Sequence, residues 1–190
     1  MRARNSTTSW GWVARLLHWV MAALILFMLG LGTYMVTLVP DLLRQFDLIQ
    51  LHKSWGFVVF CLALLRLAWR LIDRVSPAEP LGTPRWQAAA ARTVHRLLYA
   101  LILVMPLSGW VRVSASPTQD LLQMQNMVFG LFPMPDPWVP GIAALSDRAG
   151  ALHLYAAVLL ALVLVIHVGA ALKHALIDRD DVLHRMTVGR

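Results

Sequence analysis

Four histidines lie inside or at the edges of long apolar runs: His18, His52, His153 and His167. His153 and His167 share one charge-free run and stand 14 residues apart. Fourteen residues is close to four α-helical turns, so both rings leave one helix face, about 21 Å apart along the axis. One metal ion cannot take both. Two cofactors at two depths of a membrane can, each drawing a second ligand from another helix. Imidazole suits iron, and a low-spin haem takes one neutral ring on each face. The chemistry that these residues could do is one-electron transfer between two haems.

The composition agrees with a membrane setting. The 190 residues have a mean hydropathy of +0.62 and only 14% charged residues, against about 25% in a soluble domain. The formal charge of +7 does not point to nucleic acid, because the cations gather at the ends of apolar runs. Cys61 is the single cysteine. It excludes an intrachain disulfide and covalent haem attachment through CxxC, and is expected to be a small buried hydrophobe. Arg2 and Arg4 ahead of an apolar stretch imitate a signal peptide. The run from Leu16 to Pro40 is too long for one, and is read as a retained span.

A membrane-spanning helix needs about 20 mainly apolar residues. Four runs qualify, at about 15–39, 52–72, 93–113 and 149–175. Sustained period-two alternation is missing, so strands are not expected. The expected fold is all-α: one transmembrane domain over residues 1–190, an integral membrane four-helix bundle. Proline-dense loops break it at residues 76–84 and 114–147. The second of these also carries Met124, Met127, Val128, Phe129, Leu131 and Phe132, and is expected to fold over the outer end of the bundle.

Charge sets the orientation. Of 17 Lys and Arg, only Arg44, Lys53, Arg112 and Arg148 belong to the first and third loops. The other 13 flank the N-terminus, the second loop and the C-tail, so both termini are expected in the cytoplasm. Most tryptophans then fall in two interfacial belts. Each histidine also acquires a depth. His18 and His167 lie toward the inner side, and His52 and His153 toward the outer side. A lone histidine in a span is as well explained by an interfacial hydrogen bond. Four that pair by depth are better explained as ligands.

Other metal chemistry fits less well. Di-iron bundles use glutamates, and Glu79, the one glutamate, lies in a loop. Structural zinc prefers thiolates. Gly30, Gly32, Gly56, Gly109 and Gly169 leave room for a flat macrocycle, or for close helix packing.

Several segments resemble a known family. They are Arg15-Leu16-Leu17-His18-Trp19, Leu51-His52-Lys53-Ser54-Trp55-Gly56, the Leu64–Arg70 end of the second span, and Pro106-Leu107-Ser108-Gly109-Trp110. His153 followed by His167, Ala170-Ala171-Leu172-Lys173-His174 and Asp178-Arg179-Asp180 complete the set. Together they resemble the bacterial di-haem cytochrome b561 family over almost the whole chain. The resemblance implies a multi-pass bundle in the bacterial inner membrane, with two haem b groups on His18, His52, His153 and His167. It implies electron transport to a quinone. The best-understood type oxidises superoxide outside and reduces ubiquinone. Other relatives are membrane haem subunits of dehydrogenases and hydrogenases.

The remaining polar residues take expected roles on that frame. His174 lies seven residues after His167, on nearly the same face and about 10 Å further inward. His95 begins the third span at that level. Both are expected quinone-side residues, since quinone reduction needs protons and histidine can relay them. Lys53, beside His52, is expected to steer an anionic donor, with Arg44, Arg112 and Arg148 on the same side. Arg66 and Arg70 share a face and are expected to snorkel or to pair with inner haem propionates.

The expected function is superoxide:ubiquinone oxidoreduction through two haems, with lipid, quinone and superoxide or a redox protein as partners. One alternative is a haem-bearing anchor for a partner dehydrogenase. Another is a histidine-lined proton or metal transporter without haem.

Overall fold

The computed structural model describes residues 2–80 and 82–189. Leu81, in the expected second loop, and Arg190, in the basic tail, lie outside the described residues. Four long helices dominate: α1 (Trp12–Thr37), α2 (Leu42–Ile72), α3 (Arg85–Ser114) and α5 (Ala143–Lys173). Between α3 and α5 come a short α4 (Pro117–Leu122) and two two-residue strands, β1 (Met127–Val128) and β2 (Phe132–Pro133). A π-helical turn (His174–Asp178) prolongs α5, and α6 (Val182–Thr187) follows. All four long helices are long and apolar enough to cross a membrane. The fold is an all-α membrane bundle.

The helices run further than hydropathy suggests. α2 begins at Leu42, ten residues before His52, which adds about 15 Å beyond the expected span. Asp41 caps it, accepting the Arg44 N–H at 2.7 Å, as a short carboxylate does at a helix start. α3 begins at Arg85 and α5 at Ala143, each ahead of the expected apolar start. Pro106 lies inside α3. A proline there removes one backbone donor and loosens the turn, which a membrane helix tolerates when neighbours satisfy the freed groups.

α3 packs most extensively on α5, α1 on α2, and α2 on α3. The shared core holds Met21 and Ile25 of α1, Val59 and Ala63 of α2, Leu101 and Ile102 of α3, and Ala156, Leu160 and Val163 of α5. Every one of these positions lies between the two histidine levels along its own helix. The core is therefore an apolar layer separating two polar floors. Cys61 is exposed on α2, contrary to the expectation of burial. In a membrane bundle the outward surface is as apolar as the core, so a small apolar residue fits either.

Both ends of the bundle are capped. At one end the N-terminal segment, the second loop and the C-terminal tail interlock. Asn5 N–H donates to Asp73 Oδ2 at 2.8 Å, and Ala78 N–H to Thr7 O at 2.8 Å. Arg185 Nη1 donates to Ala78 O at 2.8 Å, and Trp19 Nε1 to Met186 O at 3.0 Å. The two terminal segments thus lie on one side of the bundle. At the other end the loop from 115 to 142 is ordered. β1 and β2 pair antiparallel, with Val128 opposite Phe132. Phe129 N–H donates to Ser54 Oγ at 2.8 Å, and Phe129 packs edge-on against Trp55. The short strands were not expected. They form because Phe129 and Gly130 take positive φ and turn the chain tightly.

Candidate functional site

The two histidine pairs meet as depth matching predicts. The His18 and His167 ring centroids are 6.1 Å apart, and those of His52 and His153 are 6.2 Å apart. An imidazole–metal bond is about 2.0–2.1 Å and the ring nitrogen lies about 1.1 Å from the centroid, so two rings on opposite faces of one metal sit roughly 6.3 Å apart. Both pairs have that spacing. The pairs are carried by α1 with α5 and by α2 with α5.

The surroundings of the outer pair suit ligands. His153 Nδ1 donates to the Met105 carbonyl at 2.9 Å, in the turn that Pro106 loosens, and lies 3.2 Å from Ser108 Oγ. A hydrogen on Nδ1 leaves the Nε2 lone pair for a metal, the arrangement by which outer partners orient ligating histidines. His52 Nδ1 is buried without a hydrogen-bond partner. Two glycines make space for these rings. A Cβ at Gly32 would lie 3.3 Å from His52 Cε1, and one at Gly109 only 3.0 Å from His153 Cε1. At Gly56 a Cβ would rest 3.7 Å from Met28 Cε, an ordinary contact. Gly109→Ala is therefore expected to displace the His153 ring and lower outer haem occupancy, at a packing cost of about 1–3 kcal/mol. Gly56→Ala is expected to leave it unchanged. The haem-to-chain ratio of the purified variants checks both.

The inner pair has company that depth alone did not reveal. The His95 ring lies 5.4 Å from that of His167. His95 thus stands at the His18–His167 level and contacts His167 rather than His174. Arg66 Nη2 lies 3.0 Å from His18 Nδ1, with its guanidinium 5.6 Å from the Tyr99 ring centroid. A guanidinium only donates, so His18 Nδ1 accepts here. Arg70 instead donates to the carbonyls of Asp73, Arg74 and Val75.

His174 stands at the head of the π turn. Its Nδ1 is 2.6 Å from Asp180 Oδ2 and 3.4 Å from Asp178 Oδ2. The resemblance named Asp178 and Asp180 only as a motif. Their convergence on His174 depends on the π turn and on Arg179, whose φ is +52°.

Lys53 is not a freely extended cation. Its Nζ donates to Asn126 Oδ1 at 2.6 Å. Asn126 is buried and its amide donates to Asp136 Oδ1 at 3.0 Å and to Gln119 Oε1. Sequence reading missed Asn126. The signal was a pair of adjacent amides, Gln125 and Asn126, between Met124 and Met127 in an otherwise apolar stretch. Arg44, Arg112 and Arg148 remain exposed.

Four apolar helices long enough to cross a membrane, carrying two histidine pairs with rings 6.1 and 6.2 Å apart, define a membrane protein with two candidate metal-binding levels. The family model for prokaryotic cytochrome b561 matches residues 9–189, and the chain belongs to that family. It is 32% identical over 186 residues to cytochrome b561 homolog 2 of Escherichia coli strain K12, covering 98% of this chain and 95% of that protein. Membership makes it a membrane haem b protein of transmembrane electron transfer.

Proposed function

We propose that the chain holds two b haems, the outer on His52 and His153 and the inner on His18 and His167. It carries electrons from the outer side to ubiquinone at the end where the terminal segments lie. The observation that carries this reading is the pair of ring separations, 6.1 and 6.2 Å, on histidines 14 residues apart in α5. Haem iron supplies one-electron redox chemistry; the protein supplies ligands, spacing and electrostatics. For the inner site to bind iron through His18 Nε2, Arg66 must leave Nδ1. A haem propionate is the anion suited to receive it.

The preferred donor is superoxide. Two superoxide ions give up one electron each and leave as oxygen, and one quinone takes two electrons and two protons to become quinol. The distribution of Lys and Arg supports an orientation with both termini in the cytoplasm, and the proposed membrane is the bacterial inner membrane. A reporter fused after Arg190 should be active on the cytoplasmic side only. Rapid mixing of the oxidised protein with superoxide should reduce the haem bands, and added ubiquinone should re-oxidise them. A protein that superoxide leaves oxidised would not have this donor.

One observation favours a second donor. The outer side carries Asp41, Asp47, Asp120, Asp136 and Asp147 against Arg44, Lys53, Arg112 and Arg148. Such a nearly balanced surface gives no broad attraction for an anion, and a redox protein that docks there does not depend on one. Co-purification of a dehydrogenase that reduces the haems would establish that reading.

A further inference from the structure

α5 does not end as an ordinary helix. It widens into the π turn His174–Asp178, and Arg179 then reverses the chain at φ +52°. The reversal returns Asp180 to the start of the turn, where its N–H donates to the His174 carbonyl at 3.2 Å. Its carboxylate divides its two oxygens. Oδ1 accepts from Val182 N–H at 3.1 Å, and Oδ2 takes His174 Nδ1 at 2.6 Å. Asp178 is otherwise engaged, with its Oδ2 2.5 Å from Lys173 Nζ. Asp180 is thus the closer carboxylate and the one whose partner is the ring.

This pair borders a cavity of about 280 Å³, lined also by Pro80, Thr83, Gln87 and Asp178. Its volume is just below the lower bound for small-molecule sites, roughly 300 Å³. Lys173, Asp178 and Asp180 are its charged lining residues; Pro80, Gly82, Thr83, Pro84 and Gln87, which complete the wall, carry no charge, and Arg85 follows them at the start of α3. His174 and Gln87 offer it nitrogen donors. By helix rise it lies about 10 Å beyond His167.

We infer that Asp180 is a positioning residue for proton delivery by His174 to a quinone headgroup seated in this cavity. The inference rests on the reading that quinone is reduced at this end of the bundle. A carboxylate is an acceptor, so the hydrogen on Nδ1 belongs to the His174–Asp180 bond. Nε2 is left as the nitrogen that serves the ligand. In the protonated ring the Nε2–H bond breaks as an O–H bond forms on a quinone carbonyl oxygen. The ring becomes neutral with its Nδ1 hydrogen still on Asp180, and water on this side restores the lost proton. The two electrons for the quinone come from the inner haem, one at a time. A fixed ring in one tautomer removes a reorientation from each transfer, as a third group does for a catalytic base.

The test uses the haem-loaded protein, chemically reduced, freed of excess reductant and mixed with a short-chain ubiquinone while the haem bands are followed. Asp180→Asn keeps an oxygen for Val182 and removes the carboxylate. It should slow the limiting rate of re-oxidation about tenfold or more, within the range of general acid contributions. The quinone concentration at half-maximal rate and the haem potentials should be unchanged, and the solvent deuterium isotope effect should rise. Asp180→Glu should restore most of the rate. If Asp180 acts through His174, Asp180→Asn should add nothing in a His174→Gln background, whereas independent roles would multiply. A wild-type limiting rate in Asp180→Asn, or multiplying effects in the double variant, overturns the inference and leaves quinone reduction standing. Failure of the unaltered protein to be re-oxidised by quinone overturns both. If Asp180→Asn loses haem, the Asp180→Glu rate and the effect of His174→Gln decide. Wild-type re-oxidation by His174→Gln overturns the proposal.

Discussion

His153→Ala is expected to yield a protein with one haem per chain instead of two, and His167→Ala the same with the opposite centre missing. Even outer partners of metal ligands cost about 10–100-fold in affinity when lost, so loss of an axial ligand should empty its site. The two rings share α5 but lie about 21 Å apart along it, and the apolar core lies between them. Neither site should rescue the other. Redox titration of each variant should show one remaining component, with haem content halved. His52→Ala should reproduce His153→Ala, and His18→Ala should reproduce His167→Ala. If His18→Ala and His52→Ala abolish the same centre, the pairing is wrong. His95 makes the inner variants especially informative, because its ring already touches His167.

Lys53→Gln is expected to slow haem reduction by superoxide about tenfold at low salt, the lower range of electrostatic steering. With five aspartates facing four cations on the outer side, any steering must be local. Lys53, beside His52 and fixed on Asn126, is the cation placed for it. Screening acts over about 8 Å at physiological salt, so the difference should shrink as salt rises. Lys53→Arg should keep the rate. Asn126→Ala preserves the charge but removes a hydrogen bond to an ammonium, worth about 1.5–3 kcal/mol. It should loosen the 115–142 loop, seen as faster amide exchange there, with the reduction rate within about twofold. Equal rates and equal salt dependence in Lys53→Gln would abolish the steering role. A slow rate in Asn126→Ala would assign Lys53 to anchoring the loop.

Sequence patterns carried the large features because those features are set by hydropathy. Four long apolar runs require four spans, and helical rise alone sorts His18, His52, His153 and His167 into two levels. Helix starts were less legible. Arg44 and Asp47, Arg85 and Arg92, and Asp147 and Arg148 read as loop, yet each lies within a helix that extends past the apolar span. The placement of Cys61 was not legible, since hydropathy cannot tell a lipid-facing position from a core one. The contact of His95 with His167 depends on the rotation of α3 about its axis, which a run of mixed residues at its start does not specify. The Lys53–Asn126–Asp136 network and the return of Asp180 to His174 require loop and turn geometry at φ values that composition does not reveal.

The layer of Met21, Ile25, Val59, Ala63, Leu101, Ile102, Ala156, Leu160 and Val163 has an electrical consequence. It provides no polar path for a compensating proton, so an electron crossing it moves as a bare charge. The crossing covers about 21 Å of a hydrocarbon core about 30 Å thick. A full crossing is worth about 2.3 kcal/mol per 100 mV, so this one is worth about 1.6 kcal/mol. In the orientation proposed above, with the terminal segments inside and the inside negative, inward electron flow works against the membrane potential. Each 100 mV then shifts the balance between the two histidine levels by roughly fifteenfold toward the outer one. An energised membrane would hold electrons near His52 and His153, and a discharged one would release them toward His18 and His167.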